Sequence, residues 1–264
     1  MRDTVRLDGH GVHSGTSATA TLHARPGPVA FRRAGRTFPP RHDRIVSNRS
    51  CTVLGEGPAR VAVVEHLLAA LQVRGVWRGL LIECDSDELP ILDGSAEPWA
   101  EALDALPLGT NEATPTAFHA TVRGEDGAWA DLRPGPVRAV AIDISYAHPA
   151  IGRQHWSGSD DRWDELLRAR TFGFAADEAR LRADGLAAGV QGGNVIVFDG
   201  EGPCVPLREP DEPVRHKALD ALGDMYLLGR PFAGTLRVNR GSHALHHRLV
   251  KRSLASPEAP AGRP

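Results

Sequence analysis

Cysteine is scarce in this chain, and the few cysteines show no informative spacing. The three present, Cys51, Cys84 and Cys204, are an odd number and form no CxxC pair. This argues against a disulfide framework and against a cysteine-ligated zinc site. A reducing compartment is therefore the expected environment.

The chain also lacks an excess of either charge and lacks long apolar runs. Its 31 Lys and Arg residues nearly balance its 33 Asp and Glu residues, giving a formal net charge of -2 at pH 7. Nucleic-acid-binding proteins usually carry a strong basic excess. No apolar segment of signal-peptide length lies near the N-terminus, and no stretch approaches the roughly 18 apolar residues of a membrane span. We expect no nucleic-acid partner, no integral membrane segment and a cytoplasmic location.

Strand-like and helix-like patterns alternate along the chain and predict an α+β fold. The predicted strands lie at 17–24, 60–64, 79–83, 118–123, 137–145, 194–198 and 234–238, and the predicted helices at 64–73, 96–106, 161–170, 175–183 and 213–228. The polar, turn-rich segment at 108–116 is the predicted linker. We therefore expect two similar domains, each a β-sheet packed with α-helices, at 1–112 and 117–252. A disordered tail rich in Pro, Ala and Gly is predicted at 253–264.

The clearest chemical pattern lies in the predicted helix at 213–228. His216, Asp220 and Asp224 follow one another at intervals of four residues, so they share one helix face. His66 opens another helix, and two histidines with one carboxylate can bind zinc with an open position for water, or equally Fe(II). By its spacing alone, the pair His216 and Asp220 is more often an ordinary ion pair on a helix than part of a metal site.

Glu65 precedes His66 and can act as general base toward a metal-bound water. The alternative is a favourable charge in the first turn of a helix. His243 stands where a loop enters a cationic amphipathic helix, and Asp224 can hold it protonated as an acid. We expect His246 and His247 to be solvated or locally hydrogen-bonded.

Other motifs narrow the class of enzyme. There is no HExxH segment and no GxSxG nucleophile elbow, which weakens the common metalloprotease and serine-hydrolase hypotheses. The glycine-rich segments at 9–15 and 93–95 match no Walker loop or dinucleotide fingerprint, so we interpret them as tight turns that shape a site. Thr171, beside aromatic residues, is a candidate contact for an oxyanion. Among the enzyme classes considered, metal-assisted hydrolysis is the one that these observations still favour.

Taken together, these motifs resemble the bacterial family of zinc deacetylases that remove acetate from UDP-3-O-(3-hydroxyacyl)-N-acetylglucosamine, the committed step of lipid A synthesis. The resemblance runs nearly end to end. It rests on GVHSG at 11–15, VEHLLAAL at 64–71, ILDGSA at 91–96, RTFGF at 170–174, VRHK at 214–217 with Asp220 and Asp224, and SHAL at 242–245.

The resemblance implies two α+β domains with the active site at their interface and a hydrophobic acyl passage formed by an insert in the second domain. It implies that His66, His216 and Asp220 bind zinc and that Glu65 is the general base. The implied partner is a small UDP-acyl-amino-sugar substrate. No feature of the sequence specifies an oligomeric state.

The resemblance also implies roles for five further residues. His243 as a cation would stabilise the oxyanion or protonate the leaving amine, and Asp224 would orient it. Thr171 would hydrogen-bond the tetrahedral oxyanion, Lys217 would contact the substrate, and Phe172 would pack near the sugar or nucleotide.

Departures from the family pattern leave two alternatives open. Val190 stands where the family usually has glycine near the acyl passage, and the region at 152–161 is compact, so the insert is shorter. One alternative is a zinc amidohydrolase acting on a different acylated amino sugar. The other is a catalytically silent homologue that binds nucleotide sugars, although no predicted ligand or base is missing.

Overall fold

The computed structural model describes residues 2–47, 50–109 and 113–255 and has a mixed α+β fold, as predicted. The α-helices of the first half are α1 (Glu65–Val73) and α2 (Glu97–Asp104). Its strands are β1 (Thr4–His10), β2 (Ser17–Pro28), β3 (Ala30–Arg33), β4 (Arg36–Phe38), β5 (Ile45–Ser47), β6 (Val53–Glu56), β7 (Ala59–Ala62) and β8 (Arg78–Cys84).

The second half has the same mixture of elements. Its α-helices are α3 (Glu178–Ala183), α4 (Glu212–Met225) and α5 (His243–Ala255). Its strands are β9 (Thr116–Ala117), β10 (Ala120–Arg123), β11 (Trp129–Arg133), β12 (Ala139–Ser145), β13 (Arg153–Ser159), β14 (Phe172–Phe174), β15 (Ile196–Phe198), β16 (Phe232–Ala233) and β17 (Thr235–Asn239).

Each half contains a five-stranded sheet, and the two sheets have the same topology. The first has the order β1-β2-β8-β3-β4 and the second the order β10-β11-β17-β12-β13. In both, the last strand along the chain lies in the middle and pairs in parallel with the third, while the other pairs are antiparallel. A helix precedes and another follows that middle strand in each half. The two halves are therefore structural repeats, in which α1 corresponds to α4.

The two corresponding helices pack directly against each other. α1 is buried on every side from Glu65 to Gln72, and one apolar core contains residues of both helices and of both large sheets. At Gly223 of α4, an added Cβ would lie 2.1 Å from the backbone oxygen of Glu65. Only glycine permits this approach. The polar residues of α1 and α4 consequently meet in the interior between the halves.

The observed elements correct several predicted boundaries. The predicted strand at 60–64 ends at Ala62, because Val63 adopts a left-handed φ of 58° and Glu65 begins α1. The predicted α-helix at 161–170 is instead a 3-10 helix over Asp160–Leu166. Its two buried side chains, Trp163 and Leu166, are three residues apart, the spacing that a 3-10 helix aligns.

The C-terminal end of the chain also differs in part from the prediction. The tail was expected from residue 253, but α5 continues to Ala255 and buries Ser253. The remaining tail residues, 256–264, and part of the expected linker, 110–112, lie outside the described residues. None of the described helices is both long and apolar enough to cross a membrane.

Candidate active site

Three predicted metal ligands meet where α1 packs on α4. Asp220 Oδ1 lies 3.4 Å from His216 Nε2 and 4.0 Å from His66 Nε2. The two imidazole rings are nearly perpendicular, with centroids 5.2 Å apart. His66, His216 and Asp220 are each buried. The first turn of α1 and one face of α4 thus supply a compact group of two ring nitrogens and one carboxylate oxygen.

The protonation states of these three residues suit metal binding. Burial lowers the pKa of His66 to about 3 and also lowers the pKa of His216, so both rings are neutral at pH 7. Burial opposes ionisation of Asp220, but His216 and Lys217 hold its pKa well below the ordinary value. Neutral imidazole and ionised carboxylate are the forms that coordinate a cation.

Neighbouring groups orient two of these ligands. His216 Nδ1 lies 3.2 Å from the carbonyl oxygen of Ala169, to which it donates, leaving Nε2 directed at the group. Lys217 Nζ donates to Asp220 Oδ2 at 2.9 Å, which leaves Oδ1 facing the imidazoles. Burial opposes the charge on Lys217, but Asp220 raises its pKa above the ordinary value.

The donor set fits a divalent metal ion. Ligand atoms around a tetrahedral zinc ion lie about 3.3 Å from one another, close to the 3.4 and 4.0 Å separations of Asp220 Oδ1 from the two rings. The nitrogen and oxygen donors suit zinc or iron. These residues can therefore hold a metal.

Glu65 lies beside this group at the start of α1. Burial raises the pKa of its carboxyl to about 7. Its Oε2 accepts the backbone N–H of Thr52 at 3.1 Å, and its Oε1 lies 3.8 Å from Nε2 of His243. A carboxyl group that titrates near neutral pH is suited to accept a proton.

His243 approaches from the start of α5, as a cation paired with Asp224. Its Nδ1 donates to Asp224 Oδ2 at 2.8 Å. Burial opposes protonation of His243, but the Asp224 and Glu65 carboxylates raise its pKa to about 10. The structure thus places a carboxyl group that can accept a proton and an imidazolium that can donate one on opposite sides of a 3.8 Å gap.

Asp224 has further partners that differ from the sequence prediction. His246 and His247 were expected to be solvated or locally hydrogen-bonded, yet both are buried and contact Asp224, at 2.8 and 3.1 Å. Thr52, which the sequence analysis missed, donates its hydroxyl to the same carboxylate at 2.7 Å. No local pattern marks these contacts, because they join distant segments of the chain.

The predicted metal ligands, Glu65 and His243 all line one cavity of about 340 Å³. Its polar wall contains His66, His216, Asp220, Glu65, His243, Thr171 and Lys217, together with the ring of Phe172.

The Thr171 N–H donates to the carbonyl oxygen of Gly94 at 2.8 Å. Gly94 has a φ of 87°, and a Cβ there would meet the Asn194 oxygen at 1.9 Å. The predicted turn at 93–95 therefore lies against Thr171, the residue that precedes β14.

Most of the remaining lining of that cavity is apolar, and the polar residues His13, Ser50, Glu178 and Arg182 also belong to it. Its lining includes Val12, Ile91, Leu181, Val190, Val195 and Val197. Val190, where the resemblance leads us to expect glycine, packs with Val195 against a small buried cluster that contains Val12 and Ile91. An acyl chain that entered the cavity would meet these side chains.

A second cavity, of about 580 Å³, shares Lys217, Asp220 and His243 with the first. Tyr146 and Ser242 also line it. The ring of Tyr146 packs edge-on against Phe172, and Lys217 Nζ lies 5.4 Å from the centre of the Phe172 ring. Lys217, Asp220 and His243 thus lie on the wall that the two cavities share.

Comparison with known proteins identifies the family. The model of the family described as UDP-3-O-acyl N-acetylglycosamine deacetylase matches residues 1–255. A protein of Myxococcus xanthus named UDP-3-O-acyl-N-acetylglucosamine deacetylase is 38% identical over 267 residues, covering 95% of this chain and 84% of its own length. Proteins of the same name from Shewanella woodyi and Brucella ovis are 34% and 37% identical and cover 98% and 97% of this chain, and 90% and 94% of their own lengths. The chain therefore belongs to the UDP-3-O-acyl N-acetylglycosamine deacetylase family, as its motifs predicted.

Proposed function

We propose that this protein hydrolyses the N-acetyl group of UDP-3-O-(3-hydroxyacyl)-N-acetylglucosamine, giving UDP-3-O-acyl-glucosamine and acetate in lipid A biosynthesis. The observation that carries the proposal is the convergence of Glu65, His243 and the buried group His66, His216 and Asp220 on one cavity. The names of its relatives support the same reaction. The three free thiols support a reducing, cytoplasmic location.

Zinc is the metal we propose for this site. His66, His216 and Asp220 would hold it, and Fe(II) suits the same donors. When bound, the ion would polarise the acetamide carbonyl and lower the pKa of water. Metal analysis of the purified protein distinguishes the two ions.

The remaining chemistry is proposed for side chains of the protein. Glu65 removes a proton from the attacking water, whose oxygen forms a bond to the acetyl carbon. The Thr171 hydroxyl donates a hydrogen bond to the oxyanion that develops there. His243 donates its Nε2 proton to the amide nitrogen as the C–N bond breaks, so the amine leaves neutral. Asp224 holds the ring of His243 in place through Nδ1.

The same proposal assigns the substrate to the two cavities. The acyl chain lies along the apolar walls beside Val190, and Phe172 packs near the sugar or nucleotide. Lys217 contacts the substrate from the wall that the cavities share.

We also propose domains at 1–112 and from 117 onward, because each large sheet draws all its strands from one side of that division.

Turnover of three substrates tests this function. The purified protein is expected to release acetate from UDP-3-O-acyl-N-acetylglucosamine and to act far more slowly on UDP-N-acetylglucosamine and free N-acetylglucosamine. The reason is that the last two cannot occupy the apolar part of the cavity and so lose that binding energy. Equal turnover of UDP-N-acetylglucosamine would refute the assignment of the apolar walls to an acyl chain. No acetate release from any of the three would refute the deacetylase.

A second candidate is favoured by one residue. Val190 places a branched side chain in the wall of the apolar cavity, where the family usually has glycine. A different acylated amino sugar is therefore the alternative substrate. A series of substrates that differ only in acyl length distinguishes it from the first candidate.

The rate of deacetylation is expected to show a bell-shaped dependence on pH. Glu65 acts as a carboxylate, so activity rises as pH passes its pKa of about 7, and a bound cation would move this limb to lower pH. His243 acts as a cation, so activity falls as pH rises through about 10. Asp224→Asn removes the carboxylate that raises this pKa and should move the alkaline limb down by about 1 to 3 pH units. The measurement is kcat against pH for both proteins, and an unmoved alkaline limb in Asp224→Asn would contradict the assignment.

A further inference from the structure

Thr52 connects the two residues that we assign to proton transfer. It lies between β5 and β6 and is completely buried. Its backbone N–H donates to Glu65 Oε2 at 3.1 Å, and its hydroxyl donates to Asp224 Oδ1 at 2.7 Å. One residue therefore binds both the carboxyl group proposed as base and the carboxylate that holds the proposed acid.

The Asp224 carboxylate is saturated with donors, so each of them restricts its position. Oδ1 contacts the Thr52 hydroxyl and His247 Nε2, whereas Oδ2 contacts Nδ1 of His243 and Nδ1 of His246. The Thr52 oxygen also lies 3.0 Å from His247 Nε2. All four donors converge on a side chain that is inaccessible to solvent. Water cannot replace the Thr52 hydroxyl there without rearrangement of the packing.

The geometry needs such a connection because the reacting groups come from three different helices. Glu65 belongs to α1, Asp224 to α4 and His243 to α5. Glu65 Oε1 and His243 Nε2 lie only 3.8 Å apart, and the proposed reaction requires both to reach one substrate. Small displacements of a reacting group can lower a rate by about 100-fold.

We infer that Thr52 is a positioning residue that holds Glu65 and the Asp224–His243 pair in one fixed arrangement. The inference rests on the proposed function for its role in catalysis. Thr52 does not line either cavity described above and therefore acts through its two partners. Its hydroxyl fixes the acid side, and its backbone fixes the base side.

Two substitutions separate the hydroxyl from the rest of the residue. Thr52→Val keeps the shape and the backbone N–H but removes the bond to Asp224, whereas Thr52→Ser keeps that bond. We expect Thr52→Val to lower kcat by about 10- to 100-fold with KM and metal content unchanged, because the arrangement matters in the transition state and not for binding. Thr52→Ser should recover most of the lost kcat.

A matched control is Thr121→Val. The Thr121 hydroxyl also donates to an aspartate, Asp131, but does so on the outer strand β10, away from both cavities. Thr121→Val should leave kcat unchanged. Near-wild-type kcat in Thr52→Val, an equal loss in Thr52→Ser, or a change confined to KM or metal content would each overturn the inference. If Thr52→Val does not fold, Thr52→Cys, which keeps the side-chain size but is a weak donor, takes its place.

A measurement without substrate keeps this test independent of the proposed function. In protein labelled with ¹⁵N-histidine, the Nδ1–H proton of His243 should exchange slowly with water in the wild type and in Thr52→Ser. It should exchange faster in Thr52→Val, because Asp224 is then less restrained. Unchanged exchange in Thr52→Val would overturn the positioning role, whereas an inactive wild type with the expected exchange pattern would count only against the deacetylase.

Discussion

Glu65→Gln is expected to lower kcat for deacetylation by about 10²- to 10⁴-fold and to leave the bound metal in place. The neutral amide cannot accept a proton from the attacking water. In the wild-type protein the Thr52 N–H donates to Glu65 Oε2 at 3.1 Å. The side-chain oxygen of the introduced glutamine can still accept this hydrogen bond, so the start of α1 should keep its structure. The measurements are kcat by acetate release and metal content by elemental analysis.

Glu97→Gln provides the matched control for this substitution. Glu97 occupies the first turn of α2 as Glu65 occupies the first turn of α1, but it pairs with Arg168 outside both cavities. If Glu65 served only as a favourable charge at a helix start, the two variants would behave alike. Near-wild-type turnover by Glu65→Gln would show that another group is the base.

The sequence predicted the parts of the site that depend on short-range periodicity. His216 and Asp220 lie one helical turn apart, so their shared face follows from helix geometry once α4 is recognised. Glu65 and His66 likewise follow from the start of α1. The spacing could not show that α1 and α4 are corresponding elements of two repeats or that Gly223 lets them touch. That step required the structure.

The contacts around Asp224 could not be predicted in the same way. Thr52 is 172 residues from Asp224 along the chain and lies in a loop without periodicity. His246 and His247 were expected to be solvated or locally hydrogen-bonded. The structure buries both, since a carboxylate on α4 compensates the loss of water with hydrogen bonds. A buried polar group depends on its partner, and local sequence does not contain the partner.

The repeat explains why the two halves contribute unequal residues to one centre. α1 and α4 occupy the same place after the fourth strand of each large sheet, and they pack against each other. α1 supplies Glu65 and His66, whereas α4 supplies two of the proposed metal ligands, His216 and Asp220, together with Asp224. Neither helix alone supplies all three members of the group His66, His216 and Asp220. The metal group thus depends on the interface between the halves.

His216→Ala is accordingly expected to abolish metal retention together with activity. The substitution removes one of three protein donors and leaves Ala169 without the N–H of His216 Nδ1. Loss of a residue that only orients a ligand weakens metal binding by about 10- to 100-fold, so loss of a ligand should exceed 100-fold. Equilibrium dialysis against zinc, with kcat measured at each zinc concentration, gives both quantities.

The control is His155→Ala, which removes an exposed histidine that pairs with Asp143 on the second sheet. It also breaks a histidine–aspartate contact, of 2.9 Å, but one that belongs to neither of the possible metal-binding groups found among the described residues. His155→Ala should therefore bind zinc like the wild type. If His216→Ala kept its metal and lost only activity, His216 would be a substrate contact and the metal would need a different third donor. If both variants lost metal equally, the loss would reflect altered folding, which the thermal unfolding midpoints of the two proteins would reveal.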